Sequence, residues 1–151
     1  MTDFQRAKVY AWDKKFWPYL PARHMLTESS AQTLVDKWWD QYLGLPRPDS
    51  TGLSMASPTV VLRRGITHGF YSQLGGWGGR KKPHTIHLPD WAMFPEYLIH
   101  EVAHPLADNS IHGAEFVRVL IDLHGVAFGS DWRELERSAV KAGLKVAEVN
   151  A

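Results

Sequence analysis

His100-Glu101-Val102-Ala103-His104 decides how this chain is read. On an α-helix, residues four apart lie only about 40° apart around the axis, one turn along. The two imidazoles therefore face the same way and can share one zinc ion, at a Zn–N distance of about 2.0–2.1 Å. Glu101 follows the first ligand directly. It lies too far round the helix to ligate easily, yet it can reach a zinc-activated water and take its proton as a general base. Val102 and Ala103 are apolar, so the same helix can bury one side while its histidines face a cleft.

A catalytic zinc needs a third protein ligand and an open position. The stretch after His104 runs Pro105-Leu106-Ala107-Asp108-Asn109-Ser110-Ile111-His112-Gly113-Ala114-Glu115-Phe116. The long metzincin pattern would place its third histidine at residue 110, which is serine here. His112 is the best candidate, at the start of the next helix, where a short connection can swing it back over the metal. Asp108 and Glu115 are its rivals, because carboxylates also bind zinc. Pro105 lacks the helical N–H and disfavours helical geometry before it, so the helix is expected to kink or end at His104.

Working outward, Pro95 suits a helix start, and Tyr97, Leu98, Val102 and Ala103 supply its apolar face. A following helix is expected from His112 or Gly113 to His124, with Phe116, Val119, Leu120 and Leu123 inward and Gly125 as its stop. Ser130 or Asp131 caps a last helix carrying Leu135, Ala139 and Val140. Upstream, Thr59–Leu62, Phe70–Leu74 and His84–Leu88 read as three short strands. Ser29 with Gln32 reads as a capping box for a helix over Ser30–Leu43, whose aromatic stripe belongs to the core. The first segment, Phe4 to Leu20, fits either a helical face or a short strand. Helix, strands, then helices make an α+β chain, with no internal repeat and a single domain over 1–151.

With 44% hydrophobic and 22% charged residues, the 151-residue chain can build a core and is not an extended disordered one. The net charge of +1 does not mark it as a nucleic-acid or membrane binder. It contains no cysteine, which excludes disulfide scaffolds, Cys-ligated zinc ribbons, iron–sulfur sites and a cysteine nucleophile. No apolar run suits a signal peptide or a membrane span, so a cytoplasmic protein is expected.

HEVAH at 100–104 followed by HGAEF at 112–116 resembles the active-site segment of SprT-like zincin metallopeptidases, where HExxH precedes a third ligand in a His-Gly-x-x-Phe context. That resemblance implies His100, His104 and His112 as ligands of one Zn2+ per chain and Glu101 as the catalytic base. It also implies a minimal zincin-like domain: an N-terminal helix, a short three-stranded, mostly antiparallel sheet, the HExxH helix and two C-terminal helices. SprT-like proteins often carry a Cys-ligated zinc ribbon. This chain has no Cys, so a DNA-targeting role is not carried over. With Gln5-Arg6-x-x-Val9-Tyr10 near its start, most of the chain is also similar to small metallohydrolases of actinobacteria and their phages.

The expected activity is zinc-dependent hydrolysis of a peptide or protein substrate, with strand 84–88 as the candidate edge for pairing with an extended peptide. His84 and His87 read as surface or cleft-rim residues. His68, Tyr71 and His87 are candidates for stabilising an oxyanion. The alternative is a non-catalytic, zinc-containing module that binds nucleic acid or a protein partner through the basic turn Arg80-Lys81-Lys82. Nearby Arg63-Arg64 and Trp77 would supply further phosphate and base contacts.

Overall fold

The computed structural model describes residues 3–15, 25–45, 57–67, 69–73, 84–107 and 111–148, with the backbone alone at 70–73 and 84. Among the described residues there are five α-helices: α1 (Arg6–Lys14), α2 (Glu28–Leu43), α3 (Pro95–Ala107), α4 (Ala114–Phe128) and α5 (Trp132–Lys141). Three strands, β1 (Thr59–Leu62), β2 (Phe70–Gln73) and β3 (His84–Leu88), lie between α2 and α3. The arrangement is α+β and helix-rich. The ambiguous first segment is helical where described, because Val9 and Trp12 recur at helical spacing and are both buried.

The expectation of a mostly antiparallel sheet is wrong. The strand order is β1-β3-β2, and β1 runs parallel to β3, with Val60 opposite Ile86. Only β2 is antiparallel to β3, with Tyr71 opposite Ile86. Helix α2 leaves β1 only one edge for strand pairing. Gln32 Oε1 accepts from the Val60 N–H at 2.8 Å, and Glu28 Oε2 accepts from the Leu62 N–H at 3.0 Å. Polar side chains of α2 thus occupy the outer edge of β1, and β3, with β2 on its far side, pairs along the inner edge. Strand 84–88 is therefore central and cannot be the substrate-pairing edge. Burial of a central strand also explains why His87, expected at a rim, is only 6% exposed.

Helix ends differ from the sequence expectations in instructive ways. Thr27, two residues before Ser29, caps α2: its hydroxyl accepts from the Ser30 N–H at 3.0 Å, and Ser30 Oγ accepts from the Thr27 N–H at 2.9 Å. Gln32 is thereby free to reach the sheet. Helix α3 continues past Pro105 to Ala107. A proline this close to a helix end removes one ladder bond while the last residues can still bond upstream. Helix α4 runs through Gly125 and ends at Gly129, which takes the left-handed conformation at φ 68°. Asp131 caps α5 by accepting from the Arg133 N–H at 2.9 Å, and Val140 on that helix is exposed rather than inward.

All five helices, β1 and β3 contribute to one hydrophobic cluster. Trp12, Trp39, Ile86, Leu98, Ile99, Phe116 and Leu120 are among its fully buried members. The aromatic stripe of α2, including Trp38 and Tyr42, lies in this core as its spacing suggested. Helix α3 packs against α4, β2 and β3. That sandwiched position fixes the orientation of the His100–His104 turn. Among the described residues no helix is long and apolar enough to cross a membrane.

Candidate metal centre

Helix α3 presents His100 and His104 one turn apart, with ring centroids 5.4 Å from each other. His112 sits just before α4, whose N-cap is Gly113. The close packing of α3 and α4 brings its ring to 5.1 Å from His100 and 4.8 Å from His104. One ligand atom from each of the three histidines lies within 4.8 Å of the others, and all three residues are buried. These histidines form a group that could hold a metal ion. Phe116, on the first turn of α4, packs against all three rings at 4.5 to 5.1 Å. The spacing His112-x-x-x-Phe116 thus pairs a candidate ligand with the apolar wall behind it.

Two carboxylates from the N-terminal segment contact the outer nitrogens of these rings. Asp3 Oδ2 lies 2.7 Å from His112 Nδ1, and Asp3 Oδ1 accepts from the His112 backbone N–H at 3.2 Å. Asp13 Oδ2 lies 3.3 Å from His100 Nδ1. An ionised carboxylate only accepts, so each Nδ1 carries the hydrogen. The Nε2 lone pairs of His100 and His112 then face each other at 3.1 Å. Two buried lone pairs that close need a cation, either a metal ion or a proton on one ring. Tetrahedral zinc with Zn–N of about 2.0–2.1 Å would hold its ligand nitrogens about 3.3 Å apart, close to the spacing found. The residues present therefore fit a metal.

Asp13 is 1% exposed and also faces His124, whose Nε2 lies 3.7 Å from Asp13 Oδ1. Burial alone would raise the Asp13 carboxyl. Its interactions with His100 and His124 outweigh that and hold it below the ordinary carboxylate range. Burial pushes the His112 imidazole down, against the pull of Asp3. Glu101, 7% exposed and next to His100 on α3, has its carboxyl raised by burial, partly offset by His100. Tyr10 stacks on His100 at 4.7 Å and 21° and lies 5.3 Å from His112. Its phenol is raised by burial and by the negative charge of Glu101.

Of the expected site residues, His100, His104 and His112 are brought together and Glu101 lies beside them. Glu115 is exposed on the outside of α4 and is no ligand. Asp108, His68, Trp77 and the basic turn 80–82 lie outside the described residues, as does the side chain of Tyr71. His87 is buried in the sheet. The residues that reading from sequence missed are Asp3, Tyr10 and Asp13. Asp13 had a signal: it is an acid on the apolar stripe of α1, four residues after Val9. The chain matches no protein-family model, no curated protein and no solved structure.

Proposed function

We propose that this protein is a zinc-dependent hydrolase that cleaves peptide bonds, with Glu101 as general base. The observation that carries this reading is the buried triad His100–His104–His112 with Glu101 on the same turn of α3. A purely structural zinc normally takes four protein ligands, whereas this group comprises three among the described residues. Bound zinc would acidify a water molecule and polarise the scissile carbonyl. Glu101 would accept the proton of the attacking water at a carboxylate oxygen and return it to the leaving amine. A carboxyl raised by burial suits that exchange near neutral pH.

Peptide as the substrate class is supported by the sheet. Polar side chains of α2 occupy the edge of β1, whereas β2 pairs on one side only among the described residues and packs against α3. An extended chain could add there through backbone hydrogen bonds. The similarity of residues 100–116 to SprT-like metallopeptidases supports the same class.

The test is a comparison of zinc-loaded wild type with Glu101→Gln on a panel of fluorogenic peptides and unfolded proteins. Wild type should cleave, and the variant should retain zinc while losing roughly 10²–10⁴-fold in rate, the usual contribution of a general base. Absence of cleavage by zinc-loaded wild type across the panel would refute the proposal.

A further inference from the structure

The N-terminal segment is distant in sequence from every candidate ligand, yet it touches two of them at their outer nitrogens. Asp3 binds His112 through both carboxylate oxygens, at 2.7 Å to the ring and 3.2 Å to the backbone N–H. Asp13 reaches His100 Nδ1 at 3.3 Å from a fully buried position on α1. Gln5 lies between them in sequence and ties the segment down. Its amide donates to the His112 carbonyl at 3.0 Å and to the Lys145 carbonyl at 3.3 Å.

We propose that Asp3 and Asp13 are positioning residues for the metal, each fixing one histidine in the tautomer and orientation that turn its Nε2 inward. The inference rests on the triad being a metal site. The physics is that a neutral imidazole has one donor and one acceptor nitrogen, and a carboxylate on Nδ1 decides which is which. Without it, the ring can flip or shift its hydrogen to Nε2, where it blocks coordination. The carboxylate also makes the ring more basic toward a cation. Because both supports come from one segment, metal binding and docking of that segment are coupled. By linkage, whatever the segment adds to metal affinity, the metal returns to the docking of the segment. The segment 3–13 thus acts as a clasp that closes over the triad from outside the HExxH…H stretch.

The experiment uses the full chain with zinc as the probe. Affinity is read by competition with a chromophoric chelator for wild type, Asp3→Ala, Asp3→Glu and Asp13→Asn. Long-range ¹H–¹⁵N spectra of the imidazoles report the tautomers of the zinc-free wild type. Asp3→Ala should weaken zinc roughly 10–100-fold, the range typical for losing such a support. Asp3→Glu should recover part of that loss, which a merely structural role would not require. His100 and His112 should both show a protonated Nδ1 already in the zinc-free wild type, before any metal fixes the tautomer. This spectrum tests Asp13 even if burial prevents Asp13→Asn from folding. Wild-type affinity in Asp3→Ala, or Nδ1 without hydrogen on either ring, overturns the assignment. Failure of wild type itself to bind zinc would instead overturn the metal site on which it rests.

Discussion

Gly69 backs directly onto the carboxyl group of Glu101. A Cβ at position 69 would stand 3.2 Å from Glu101 Oε1 and 2.8 Å from Leu88 Cδ2. The backbone entering β2 therefore passes close beside the proposed base, and a side chain at 69 would force its neighbours to give way. Leu88 Cδ2 is the tip of a flexible side chain and can give way, but the carboxylate would have to shift. Gly69→Ala should leave zinc content and thermal stability nearly unchanged while hydrolysis slows by about 10-fold, since small misplacements of a reacting group are costly. Metal analysis and steady-state rates on one cleaved peptide check this. Unchanged rates would mean that the Gly69 approach does not position Glu101.

Metal removal should loosen the fold, because the triad joins α3 to the start of α4 and, through Asp3 and Asp13, to the N-terminal segment. A ligand present at 100 times its Kd stabilises by about 2.7 kcal/mol. For a chain of this size that corresponds to a Tm shift of about 5–10 °C. Melting curves with added zinc and with a chelator should differ by this amount in wild type. In His112→Ala the difference should shrink strongly, whereas Glu115→Ala should behave as wild type because Glu115 is exposed. Equal shifts in wild type and His112→Ala would exclude His112 as a ligand.

The candidate ligands were legible because helical periodicity alone puts His100 and His104 on one face, and the short connection limits where residue 112 can go. Strand positions were equally legible from β-branched runs such as Thr59–Leu62. Their pairing was not. Whether β1 meets β2 or β3, and in which direction, is decided by contacts between distant segments, which local pattern does not contain. The outer contacts of the triad were hidden for the same reason, since Asp3 and His112 are 109 positions apart. Gly125 misled because glycine usually ends a helix, while here packing of α4 against α3 and α2 carries the helix on to a second glycine.

His87 should make the protein acid-sensitive. Burial in the central strand, with the charge of Arg63 adding to it, holds its imidazole below the ordinary histidine value. The unfolded chain then binds a proton more readily than the folded one. Stability from this group is fully present above about pH 6.5 and is lost as pH falls toward the lowered folded value. Replacing it by His87→Gln removes that contribution to the pH slope. The Tm gap between wild type and variant should narrow as pH drops from 7.5 to 5.5, with buffers of matched ionic strength. A gap that stays constant over this range would show that His87 does not titrate in the unfolding equilibrium.

Alanine substitution at the two glycines at the end of α4 should have opposite signs. Gly125 lies within the helix, where a methyl group would meet only the Ser130 carbonyl oxygen at 3.6 Å, an ordinary contact. Alanine there restricts the unfolded chain and favours the helix, so Gly125→Ala should stabilise by about 0.5–1 kcal/mol. Gly129 has φ 68° and ends the helix with its N–H bonded to the Gly125 carbonyl at 3.0 Å. A methyl group at 129 would meet no atom within 4 Å, so crowding is not the issue. The cost is the left-handed backbone itself, about 1–2 kcal/mol for a residue with a Cβ. Gly129→Ala should therefore destabilise by about that amount, with no effect on zinc affinity. Urea unfolding of both variants decides the point: stabilisation by Gly129→Ala would place the end of α4 elsewhere.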